Sequence, residues 1–123
     1  PAVGTAIVTE GLLVYLADAD LRGAWRRCAA ALRRFPNGLY LADLRLGGSG
    51  RDPAEEAFNR ALSLFVRGCV HRHFRDEDDA AARLVEAGFD DARLHRGDRH
   101  PAAAAVRDDP GAALIGVIEG TIG

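Results

Sequence analysis

The stretch TAIVTEGLLVYLADAD, residues 5–20, runs from a short apolar segment through a single charge and a second apolar segment into an acidic cluster. Residues 5–9 are β-branched and apolar in the middle, as in a buried strand. Asp18 is placed to cap a helix from about Ala19 to Arg34. On that helix Leu21, Trp25, Cys28, Ala29 and Leu32 share one face, while Arg22, Arg26 and Arg33 fall largely elsewhere. A strand leading into an amphipathic helix is a β-α unit, and the rest of the chain is read outward from it.

FPNG, residues 35–38, stops the helix, and GLYLADLRL, residues 38–46, reads as a second strand, buried in its first half and polar at its end. After the loop GGSG, Asp52, Pro53 and Glu55 occupy N-cap, N1 and N3 positions. They open a helix to about Arg67, with Phe58, Leu62, Phe65 and Val66 expected to face inward. HRHF, residues 71–74, is an extended linker. Asp76 caps a helix from Glu77 to Ala87, and Gly88 suits its left-handed end. Residues 92–96 form a short strand, residues 97–111 a loop with one helical turn, and residues 113–121 the last strand. The order β-α-β-α-α-β-β predicts an α/β sheet of three parallel strands plus a terminal antiparallel strand, with helices on both faces.

At 123 residues the chain is read as a single domain. A net charge of −2 offers no basic field for nucleic acid, so none is expected as a partner. The arginines at 22, 26, 27, 33 and 34 read as a solvated helix face. No apolar run is long enough for a membrane span, and a cytoplasmic location is the default expectation. Cys28 and Cys69 are widely spaced and read as two buried thiols. All 16 basic side chains are arginine, which removes lysine chemistry; Met is absent too, so the chain is expected to follow a trimmed initiator or to lie within a longer protein.

Ligands of open α/β sheets gather beyond the carboxyl ends of the parallel strands. That rule selects Thr9, Glu10 and Gly11 after the first strand, and Asp43, Leu44 and Arg45 at the end of the second. A carboxylate there accepts hydrogen bonds from ribose hydroxyls or an amine, or it caps a following turn; position alone leaves both open.

AIVTEGLLVYL (6–16), the helix with Trp25, RFPNGLYLADLRL (34–46) and AAARLVEAGFDDARLHR (80–96) together resemble the second half of a class I S-adenosylmethionine-dependent methyltransferase. More narrowly, the chain resembles the leucine carboxyl methyltransferase and polyketide O-methyltransferase (tetracenomycin-type) family, in which a strand ends in a Glu-Gly-Leu-Leu-x-Tyr-Leu-type motif. The resemblance implies a Rossmann-like sheet and S-adenosyl-L-methionine as cofactor, with Glu10, Gly11 and Leu12 in its pocket. It places Tyr15 toward a small-molecule or carboxylate acceptor. The family's sheet order is 3-2-1-4-5-7-6, and this chain would supply strands 4, 5, 7 and 6. The glycine-rich loop and the ribose-gripping acid of the family's first half have no counterpart here. The chain alone is therefore expected to be inactive, and its first strand is expected to be an exposed apolar edge that pairs with a second copy or a partner chain.

The loop GGSG fits a flexible connector better than a phosphate cradle, because the third glycine of the dinucleotide fingerprint would fall on Pro53. His71 and His73 are two apart, so in an extended segment they point the same way. Spacing supplies no third ligand, so no metal is expected; either histidine is a candidate for a general base. Arg72 is a candidate grip for a carboxylate-bearing acceptor. Two functions stand at this point: methyl transfer to an oxygen, and a catalytically silent interaction module built on the free first strand.

Overall fold

The computed structural model describes residues 3–46, 53–65, 71, 73–106, 108 and 112–123. The elements are β1 (Thr5–Thr9), α1 (Asp18–Leu32), β2 (Gly38–Arg45), α2 (Pro53–Phe65), α3 (Glu77–Glu86), β3 (Asp91–Arg96) and β4 (Ile115–Ile122). Short 3-10 turns cover Leu13–Tyr15, Pro101–Val106 and Ala112–Leu114. The strands form one sheet in the order β1-β2-β4-β3. β1 and β2 are parallel, and β4 runs antiparallel to both β2 and β3. Three strands thus share one direction, and the last inserts between the second and third with the opposite one.

Both crossovers, β1-α1-β2 and β2-α3-β3, step the same way across the sheet. Right-handed connection then puts both helices on the same face. A Cβ at Gly38 would meet Leu32 of α1, and one at Gly120 would meet Leu84 of α3. Gly38 and Gly120 lie on one side of the pleat, because Gly120 pairs with Tyr40, two residues from Gly38. α1 and α3 therefore share one face of the sheet and do not supply the helices expected on both faces. Helices reach both faces only where the direction of stepping reverses, and among the described strands it does not.

The covered face holds the core. Leu21, Trp25, Ala29 and Leu32 of α1 and Ala80 and Leu84 of α3 pack over Tyr40, Ala42, Leu44 and Ile118. Phe74 stacks on Trp25 with ring centroids 5.7 Å apart. Asp18 joins the two helices through Arg83 at 2.9 Å and pairs with Arg22 at 2.8 Å. The arginines of α1 are exposed, as their positions predict.

α3 begins as read: Asp76 caps it by accepting from the Asp79 backbone N–H at 2.8 Å, and Gly88 follows it at φ +114°. α1 starts one residue earlier than expected, with Ala17 as N-cap, so Asp18 is a first-turn acid rather than a cap. β1 is an edge strand, not a buried one, with Val8 67% exposed. β2 alternates along its whole length, and its odd residues are only half-buried, because they point to the face that α1 and α3 do not cover. α2 departs most: Phe58 and Phe65 were expected inward, but both are exposed, at 58% and 88%. An amphipathic pattern specifies a helix but not what it lies against. Asp52, Val66 and the GGSG loop lie outside the described residues. Among the described residues no helix is long and apolar enough to cross a membrane.

Candidate functional site

β1 ends at Thr9, whose partner in β2 is Ala42, so Glu10 and Asp43 come level at the carboxyl ends of two parallel strands. Gly11 turns the chain at φ +62°, a conformation that favours glycine. Its backbone N–H donates to Asp43 Oδ1 at 2.7 Å. Asp43 is thus the carboxylate that holds the turn, while Glu10 is exposed beside it. Among the described residues a Cβ at Gly11 would meet nothing within 4 Å, which leaves open space over the turn.

The chain then makes one 3-10 turn, with Leu13 buried beneath and Leu12 and Tyr15 each 42% exposed. Under this ledge Trp25 Nε1 donates to the Tyr40 hydroxyl at 3.1 Å, and Tyr40 and Thr9 share a hydroxyl hydrogen bond of 2.9 Å. Burial pushes the Tyr40 phenol above its ordinary value, with the hydrogen bonds to Thr9 and Trp25 opposing the shift. A cavity of about 320 Å³ opens next to Asp43, lined also by Val14, Leu44, Arg45, Leu114 and Ile115. A larger one, about 580 Å³, lies at the opposite end of the sheet around Thr5, Asn37 and Thr121. It lies away from the carboxyl ends where α/β sheets take ligands.

His71 and His73 stack face to face, ring centroids 5.4 Å apart, as their spacing predicts. Both tie their segment to the 3-10 turn. The His71 backbone N–H donates to the Val14 carbonyl at 2.7 Å, and His73 Nε2 bonds the Leu13 carbonyl at 3.0 Å. The His73 side chain is only 5% exposed, and burial holds its pKa below the ordinary value. It is a strut under the turn, with no open nitrogen at Nε2 for a substrate. Among the described residues no three acid, histidine or cysteine side chains gather as a metal site. Arg72 and Cys69 lie outside the described residues; Cys28 is half-buried, and burial raises its pKa.

Glu10, Gly11, Leu12 and Tyr15 therefore occupy one continuous turn, with His71 behind it. What sequence reasoning passed over is a second polar cluster on the face opposite α1 and α3. His95 Nε2 lies 3.0 Å from Glu119 Oε2, and His100 sits edge-on to His95 at 6.3 Å. The signal was the alternation of β3 and β4, which puts His95 and Glu119 on the same face once the strands are paired. No protein-family model matches the chain, and no curated protein matches it in sequence.

Proposed function

We propose that this chain serves an S-adenosylmethionine-dependent O- or carboxyl-methyltransferase, with Glu10, Gly11 and Leu12 on the cofactor and Tyr15 toward the acceptor. The observation that carries the reading is the strand order β1-β2-β4-β3 with a reversed, inserted last strand. It agrees with strands 4, 5, 7 and 6 of the family's sheet, and Glu10 stands at the carboxyl tip of the first.

The residues present fit such a cofactor. The space over Gly11 admits a close approach to the backbone, and the exposed Glu10 carboxylate can accept from ribose hydroxyls. Leu12 and Tyr15 offer exposed apolar surface for flat rings. When bound, the cofactor supplies an electrophilic methyl on a sulfonium. The chain's own part is to position the acceptor oxygen in line with it. A carboxylate acceptor is already ionised; a phenol or alcohol needs a group to take its proton. Small-molecule, polyketide-like acceptors and carboxylates both remain within the proposal.

Calorimetric titration with S-adenosylmethionine tests it. A hydrogen bond to a charged group contributes about 1.5–3 kcal/mol, so Glu10→Gln is expected to weaken binding roughly 10- to 100-fold. Absence of binding by the folded chain, or equal affinity in Glu10→Gln, refutes the assignment for this chain.

The second reading is an interaction module that pairs through β1. It is favoured by that strand's place at the sheet edge and by its lack of charged residues. A homo-oligomer or partner complex on that edge protects the β1 amides from exchange; a monomer with freely exchanging β1 amides rules it out.

A further inference from the structure

The face of the sheet opposite α1 and α3 carries a second cavity, about 470 Å³, beside the turn that follows β3. His95, His100 and Glu119 line it, together with Val117, Ala102 and Ala103. The polar groups come from three elements. β3 supplies His95, β4 supplies Glu119, and the turn leading into Pro101–Val106 supplies His100.

The two imidazoles have different partners, and these partners set different roles. His95 Nε2 lies 3.0 Å from a carboxylate oxygen of Glu119, which can only accept, so in the neutral ring the tautomer that suits this contact has its proton on Nε2 and a lone pair on Nδ1. At His100 the arrangement is reversed. Its Nδ1 accepts from the Ala102 backbone N–H at 3.2 Å, so its proton is on Nε2. One ring presents an acceptor and the other a donor, their centroids 6.3 Å apart and the planes edge-on. A hydroxyl group is the ligand function that satisfies both, because it donates one hydrogen bond and accepts another. The methyls of Ala102, Ala103 and Val117 provide an apolar wall for the carbon frame that bears it.

The cluster also lies in register with the candidate cofactor turn. Val117 pairs with Asp43 on one side and with His95 on the other. Asp43, Val117 and His95 thus form one row on the same face of the sheet. Two strand spacings separate its ends, about 10 Å.

We propose that this cavity binds a phenol or comparable weakly acidic hydroxyl, with His95 as its proton acceptor. The O–H bond breaks and an N–H bond forms at His95 Nδ1, leaving a phenolate and an imidazolium. Glu119 balances the imidazolium through Nε2–H, and the Nε2–H of His100 donates to the oxyanion. The site stands without the methyl-transfer reading; if that reading holds, this is the acceptor pocket for a hydroxyl substrate.

p-Nitrophenol is a suitable probe because only its ionised form absorbs visible light. It is titrated into the wild-type chain at a fixed pH below its own ionisation, without S-adenosylmethionine. Saturable growth of phenolate absorbance is expected, with amide shift changes centred on His95, Gly97, Val117 and Glu119. His95→Phe keeps the ring and removes the acceptor, and it is expected to reduce the bound phenolate at least 10-fold. Glu119→Gln is expected to reduce it less, while amide spectra establish that each variant is folded. Shift changes confined to other surfaces, or undiminished phenolate in folded His95→Phe, overturn the proposal. So does the absence of saturable binding by the wild-type chain, which the shift map reads even if both variants fail to fold. Failure to bind S-adenosylmethionine bears on the methyltransferase reading alone.

Discussion

Tyr40→Phe removes one oxygen atom from the centre of the covered face. Tyr40 and Trp25 are each 1% exposed, and the indole Nε1–H donates to that oxygen at 3.1 Å. Phenylalanine keeps the ring and leaves almost no new cavity, so the dominant cost is a buried donor without an acceptor. Such an orphan costs about 1–3 kcal/mol. With a urea slope of about 1–3 kcal/mol per molar for a small domain, the unfolding midpoint is expected to fall by about 1 M. Thr9→Val provides the contrast. It removes the other partner of the hydroxyl, 2.9 Å away, but leaves the Trp25 bond in place, so its loss is expected to be smaller. The phenol also predicts a pH effect. Burial raises its pKa in the folded chain above the ordinary 10.0, so the folded state holds this proton more tightly than the unfolded one. That contribution is fully present below the unfolded value and is lost as pH rises through the folded value. Urea midpoints measured across the alkaline range are expected to decline less steeply in Tyr40→Phe than in the parent. A variant within about 0.5 kcal/mol of the parent at neutral pH, below the range for an orphaned buried donor, would refute the hydrogen-bond argument.

Two further perturbations address the helix layer and the strut under the turn. Gly120→Ala puts a methyl 2.6 Å from Leu84 Cδ2 and 2.8 Å from Phe89 Cδ1. Overpacking costs about 1–3 kcal/mol, and the stiffer unfolded chain returns about 0.4–1, so thermal unfolding is expected several degrees lower; an unchanged midpoint contradicts the packing described. The His73 pKa is lowered chiefly by burial and secondarily by His71, against the Leu13 carbonyl and Asp18, which favour the charged form. Its contribution is present above the unfolded value near 6.5 and lost as pH falls through the folded one. His73→Gln is expected to flatten the acid side of the stability–pH curve; an identical slope in parent and variant refutes the assignment.

Much of the backbone was legible because its signals are local. Asp76 and Gly88 mark the ends of α3 by hydrogen bonds and dihedrals within a few residues. The apolar spacing of Leu21, Trp25, Ala29 and Leu32 needs only the helix repeat to define a buried face. Glu10 and Gly11 were legible as a turn at a strand tip. Less was readable where a side chain's role depends on a distant segment. Asp43 could be placed at the end of β2, but that it holds the Gly11 N–H depends on the register of two strands 32 residues apart in sequence. His73 was a candidate general base, and its Nε2 is instead tied to a carbonyl 60 residues earlier.

The sequence by itself determined the elements, their order and the faces they offer, since periodicity and capping are properties of neighbouring residues. Only the tertiary structure decided that α1 and α3 share one face, because that follows from the direction of successive crossovers. It also left Phe58 and Phe65 of α2 exposed and brought His95 to Glu119. These are pairings between surfaces, and a linear pattern that prepares a surface does not specify what will meet it.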